Sequence, residues 1–291
     1  MLSILTFFAS ILKTYFQSLK KDLSLAGFDP TLLVASISYV SLILLAGLSL
    51  MGRFQLPTEP LFYVYWFFLT LIAMSGYILF VKGISHAQFM AANSFSHLGF
   101  VMTAVYAYLI LGEVLSLQKV LAILLALVGA MLFFEWRVID KKALLQNRGL
   151  LLILFSVILG PLGLIFYKLA IAHTGSYHQF LTGRFVMDFV YGTLFFLLFF
   201  RFVIRKNPLK QSLKFISSTP ALVFMFGMAL VNTLDSWLIY KLPASLFALL
   251  GIVSIPAGYL ISKVKYHEII TTKHFLGGLL IIVALFIFIM L

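Results

Sequence analysis

Residues Asn93 to Phe134 read NSFSHLGFVMTAVYAYLILGEVLSLQKVLAILLALVGAMLFF. Two apolar runs meet at Gly112-Glu113, with a few polar residues behind the junction. About 20 apolar residues in a helix cross a bilayer. The stretch therefore predicts two membrane-crossing helices, about 88–111 and 117–135, joined by a short turn. The pattern then returns. Glu113 is followed by Val-Leu-Ser-Leu-Gln-Lys and an apolar helix; Glu268, 155 residues later, is followed by Ile-Ile-Thr-Thr-Lys-His and another. At the same offset Leu121 meets Leu276, Leu124 meets Leu279, Val128 meets Val283, Phe133 meets Phe288 and Lys13 meets Lys168. Apolar sequences match one another by composition, so the two Glu and two Lys at one spacing carry the argument.

The rest of the chain is built the same way. Its 291 residues are 63% apolar and 10% charged, with a mean hydropathy of +1.10. An ordinary soluble domain is about 25% charged. Apolar runs broken by Lys, Pro, Gly and polar clusters predict spans at about 2–19, 31–51, 61–81, 88–111, 117–135, 149–170, 180–200, 220–240, 244–262 and 274–290. Lys20, Lys21 and Asp22 close the first. Pro30, Pro60 and Pro220 open others, at the first turn, where a missing N–H costs nothing. The expected fold is an all-α membrane protein of ten transmembrane helices. It divides into a first five-helix repeat (1–137), a linker (138–147) and a second five-helix repeat (148–291). Five is odd, so the second repeat enters the membrane in the opposite sense. Inverted repeats of this kind build secondary transporters, with the binding site near the midplane between the halves.

Composition also excludes. With no cysteine, disulfides, thiolate metal sites and Cys nucleophiles are impossible. No Walker loop, Gly-x-Ser-x-Gly or His-Glu-x-x-His motif is present, so neither an ATP-driven pump nor an enzyme is expected. No cofactor is called for, and no His pair has metal-ligand spacing. The net charge of +12 reflects cytoplasmic loops rather than nucleic-acid binding. Fifteen of the 21 Lys and Arg fall in or beside loops 1–2, 3–4, 5–6, 7–8 and 9–10, and four on the opposite side. The positive-inside rule then puts both termini outside. Residues 1–12 are apolar without a preceding basic region, so the first span is expected to stay as a permanent helix. The inner membrane of a prokaryote is the expected location. The expected partners are a small-molecule substrate and the lipid bilayer; a monomer and a homodimer fit equally.

A charge in mid-span is costly and faces the bundle interior or a wet cavity, so the few such residues are the candidate site. Asp235, with Asn232 and Ser236 beside it, is a proton carrier, a counter-ion for a cationic substrate, or a structural partner of a buried cation. Arg184 and Asp188 share a helix face at a spacing of four, as a self-neutralising pair or as a charged clamp. Lys13 and Lys168 bracket a cavity or snorkel to the interface. Asn93 and His97 share a face of the fourth span, to bind a substrate or to hold helices together. Trp66 and Tyr77, like Tyr63, Trp237 and Tyr240, line the path or form an interfacial belt. Glu113 and Glu268 are expected to be structural caps at helix N-termini.

The arrangement resembles the EamA family of the drug/metabolite transporter superfamily. The resemblance rests on Asn93 to Phe134 with its Gly-Glu turn, on Phe247 to Phe286 with a Pro twelve residues before Glu268, and on Thr182 to Val186 around Arg184. It covers essentially the whole chain. His267 stands where the family's second repeat has Gly, Ser38 where its first repeat often has Arg, and Val101 where its first repeat has Pro. The resemblance implies a carrier of small organic metabolites, an exporter or exchanger that is often ion-coupled, with both termini in the cytoplasm. A flippase for a lipid-linked or amphipathic substrate is the alternative.

Overall fold

The computed structural model describes residues 2–86, 98–132, 148–199, 213–215, 217–267, 269 and 271–290. The described residues are helical, without a strand. In chain order the helices are α1 (Leu2–Leu25), α2 (Pro30–Leu50), α3 (Pro60–His86), α4 (Gly99–Leu111), α5 (Leu117–Leu132), α6 (Arg148–Ala172), α7 (Tyr177–Phe199), α8 (Thr219–Lys241), α9 (Ala244–Leu250), α10 (Ser254–Tyr266) and α11 (Thr272–Met290). A 3-10 turn, Gly251–Val253, joins α9 to α10. Five stretches are long and apolar enough to cross a membrane: Leu2–Leu25, Pro60–His86, Leu151–Ala172, Thr219–Lys241 and Ala244–Tyr266. Several apolar helices are shorter, among them Gly99–Leu111 and Leu117–Leu132.

Two expectations are corrected. The first helix does not stop at 19 but continues through Lys20, Lys21 and Asp22 to Leu25. Those charges find partners within the protein. Lys20 is 1% exposed, Asp22 pairs with Lys265 on α10, and the Lys21 ammonium lies 4.8 Å from the Tyr266 ring centroid. The ninth span is not one continuous helix but breaks at Gly251–Val253. Pro256 cannot donate to the Ile252 carbonyl, and Gly251 resists winding, so the ladder tightens into a 3-10 turn there. The start of the expected fourth span (88–97), the end of the fifth and the linker lie outside the described residues.

Packing is orderly. α3 runs along α6, and α1 along α8; α4 packs on α6, and α10 with the 3-10 turn on α1. α2 faces α7, α5 faces α11, and α4 meets α9. Exchanging α1 with α6, α2 with α7, α3 with α8, α4 with α9–α10 and α5 with α11 carries this set of contacts onto itself. Small residues permit the closest approaches. A Cβ added to Gly83 of α3 would lie 2.7 Å from the Gly149 carbonyl oxygen of α6. On α5, Ala122, Ala126 and Ala130 recur at a spacing of four and are fully buried. Such a stripe lets helices associate where no hydrophobic effect drives them together. The opposite face carries Leu121, Leu124 and Val128, all exposed, as lipid contact requires.

Candidate functional site

Between α1, α3, α4, α6, α7, α8 and the α9–α10 break lies a cavity of about 440 Å³. Much of its wall is apolar, including Leu69, Met74, Phe80 and Phe100. Charged groups enter from three helices. Lys13 of α1 donates to Asp235 Oδ2 of α8 at 2.7 Å. Arg184 of α7 donates through Nε to Asp188 Oδ2 at 3.2 Å. It also donates through Nη1 to the Tyr167 hydroxyl at 3.1 Å and to the Asn232 carbonyl at 2.7 Å. Trp66 Nε1 donates to Asp188 Oδ1 at 3.0 Å. Both cations therefore meet a carboxylate, and Arg184 is fixed by three contacts on three helices.

Backbone geometry adds to the polar lining. Pro161 sits inside α6, so the Val157 carbonyl loses the N–H it would accept one turn on. Val157, Gly160 and Pro161 all border the cavity. The 3-10 turn borders it too, through Gly251 and Ser254. Near Trp66 the cavity abuts an aromatic cluster. Trp66 stacks on Phe62 at 5.4 Å and meets Tyr167 and Phe180 edge-on or tilted within 6 Å.

The candidate residues separate into three groups. Lys13, Trp66, Tyr77, Arg184, Asp188, Asn232 and Asp235 border this one cavity. Lys168 does not. Its ammonium donates to the Ile239 and Leu242 carbonyls at the end of α8, where it satisfies helix-terminal acceptors. Asn93, His97 and Glu268 lie outside the described residues. Glu113 accepts from the Ala244 and Ser245 amides at 2.6 and 3.1 Å and from the Ser245 hydroxyl at 2.5 Å. It is a cap, but for α9 rather than for the helix that follows it. Lys168 and Glu113 thus hold the α8–α9 corner from both sides. Sequence reasoning passes over Tyr167, Gln17 and Lys20. The spacing 13, 17, 20 on one helix face is the signal for the last two.

Ion pairs join residues 2–132 to residues 148–290 at three levels. Glu59 Oε2 is 2.6 Å from His173 Nδ1, Lys13 meets Asp235, and Lys265 meets Asp22. Tyr266 reinforces the last by donating to Asp22 Oδ1 at 2.9 Å. The loop bearing Glu59 and the end of α1 bearing Asp22 are separated by the length of α2, about 30 Å for 21 residues. The outer pairs are open to solvent, the Glu59 and Asp22 side chains being 59% and 38% exposed, whereas Asp235 is 11% exposed.

The model of the EamA-like transporter family matches residues 1–135. No curated protein matches the chain. Twenty-eight chains of solved structures are similar to it. One, described only as a crystal structure of a protein, is 12% identical with a TM-score of 0.67, aligned over 98% of this chain and 96% of its own. At that identity the likeness shows the fold alone. The family match and the apolar helices make this an integral membrane protein, and the match is consistent with membership of the drug/metabolite transporter superfamily.

Proposed function

We propose that this member of the EamA-like pattern is a secondary transporter that moves a small organic metabolite by alternating access. One observation supports it above the others: a cavity of about 440 Å³ lined from both the first and the last parts of the chain, with the Lys13–Asp235 pair in its wall. Pockets of about 300–1,000 Å³ hold small molecules. The two halves, 1–137 and 148–291, act as inverted repeats of ten spans in all. The exchange symmetry of the packing and the shared offset of Glu113 and Glu268 support that division.

The geometry supplies a mechanism. Lys13 and Asp235 belong to different halves, so their contact is a lock between the bodies that must rock. A proton or a positively charged solute group arriving at Asp235 releases Lys13 and unlocks the seam. Arg184 and Asp188, held by Tyr167 and Trp66, keep a second charged surface in fixed orientation. The exposed pairs, Glu59 with His173 and Asp22 with Lys265, serve as latches at the two mouths. Exposed pairs are worth about 0–1 kcal/mol, which suits contacts that open in every cycle.

Asp235→Asn tests the reading. In proteoliposomes the variant should lose solute exchange by at least tenfold while its thermal unfolding in detergent stays cooperative. Exchange at the parental rate would remove Asp235 from the mechanism.

A further inference from the structure

Three basic side chains of the described helices stand in the cavity wall or against a residue that lines it, and two are answered by carboxylates. Lys20 is the third. It is 1% exposed, and its ammonium has no hydrogen-bond partner among the described residues. It stands 4.2 Å from the centroid of the Tyr77 ring, and Tyr77 borders the cavity. Gln17, one turn earlier on the same face of α1, also borders the cavity, and its Oε1 is buried and unpartnered among the described residues.

A buried ammonium without a counter-ion is costly, because the low-dielectric interior cannot replace its hydration. The ring face of Tyr77 returns only part of that. Hydrogen bonds left unmade by an adjacent amide add to the cost. Ionisable groups inside membrane proteins are rare and mark functional sites, and this one stands against a residue of the cavity wall. Five charged side chains count here: Lys13, Lys20, Arg184, Asp188 and Asp235. Among them are three basic groups and two carboxylates, so one basic group has no acidic partner among the described residues.

We infer that Gln17 and Lys20 form an anion subsite at the α1 end of the cavity and take the carboxylate of a small organic solute. A monoanion matches that one basic group. The solute's apolar body would lie along Met74, Phe80 and Phe100, and Gln17 would donate to the carboxylate through its Nε2–H, leaving Oε1 as an acceptor for the Lys20 ammonium. Lys20 lies about 10 Å along α1 from Lys13, so a bound solute can reach from this subsite to the Lys13–Asp235 lock. The inference rests on the carrier reading for its role in transport, though not for binding.

Benzoate and its uncharged counterpart benzamide test it on the purified protein in detergent. Benzoate should raise the midpoint of thermal unfolding and benzamide should not, since binding stabilises the folded state by mass action. Lys20→Met should raise the midpoint of the ligand-free protein, because an uncompensated charge is removed, and should weaken benzoate binding at least tenfold. Gln17→Leu should weaken it less. The subsite is overturned if benzoate fails to bind, if benzamide binds equally, if Lys20→Met binds benzoate normally, or if Lys20→Met lowers the ligand-free midpoint. Exchange of radiolabelled benzoate in proteoliposomes separates the two readings. Exchange that persists unchanged in Lys20→Met sinks the subsite and leaves the carrier. Binding through Lys20 without exchange sinks the carrier and leaves the subsite.

Discussion

His267 ends α10 with a φ of 53°, and Gly112 ends α4 with a φ of 68°; the two are 155 residues apart. Both amides reach back to a carbonyl five residues earlier, His267 to Ser262 and Gly112 to Ala107. The same left-handed cap thus closes both helices, once with the residue suited to it and once without. A side chain in that region costs about 1 kcal/mol or more, so His267→Gly should stabilise the protein by about 1 kcal/mol, read from thermal unfolding in detergent. A fall in stability would mean the imidazole makes contacts worth more than the strain. The sequence shows this site plainly, because His267 stands where the repeat demands Gly. Lys20 is the opposite case. Lys20-Lys21-Asp22 reads as a helix stop, since nothing in the local sequence reveals that Tyr77 and Phe224, far along the chain, meet the first of these charges.

Lys13 and Lys168 are 155 residues apart in the sequence but stand at different heights, 12 residues before the end of α1 and four before the end of α6, and they do different work. α1 lies along the middle of α8, where Asp235 is waiting; α6 brings Lys168 to the end of α8, where carbonyls lack donors. Lys13→Met should therefore abolish exchange while leaving the unfolding midpoint within a few degrees. Lys168→Met should cost about 1–3 kcal/mol and leave exchange per folded molecule largely intact. The reverse outcome would exchange their assigned roles. Helix existence and order are legible in the sequence because apolar length is a local property. The break at Gly251–Val253 is less so, since Gly251 and Pro256 signal it only when read together. Partner choice is least legible. Glu113 reads as a cap of its own following helix, whereas α4 packs against α9 and delivers the carboxylate there. The repeat-matched pairs Leu121 with Leu276, Leu124 with Leu279 and Val128 with Val283 are all exposed, so they record the lipid-facing surface and say little about the core.

At the scale of the whole molecule, the three ion pairs between residues 2–132 and 148–290 lie at three levels, which the proposed function reads as two mouths and a middle. The chain contains no cysteine, so a single Thr70→Cys on the cavity wall reports accessibility without background. Glu59→Gln should increase its labelling by an impermeant thiol reagent from the Glu59 side, and Asp22→Asn from the opposite side, each by up to about fivefold. Equal labelling from both sides in either variant would deny the pairs a latching role. The charge bias predicts which side is which. A reporter fused after Leu291 should read as external, because the basic loops lie at the Asp22 end; a cytoplasmic signal would reverse the orientation or change the span count. The unequal exposure of the three pairs has a further result. Bulk electrolyte screens charges over about 8 Å at 0.15 M and about 3 Å at 1 M, and it reaches Glu59 and Asp22 but scarcely Asp235. If the proposed carrier cycle holds, concentrated salt should therefore level the preference between two closed forms while sparing the central pair, so that ionic strength would tune how often the protein turns over and leave intact what it demands of its cargo.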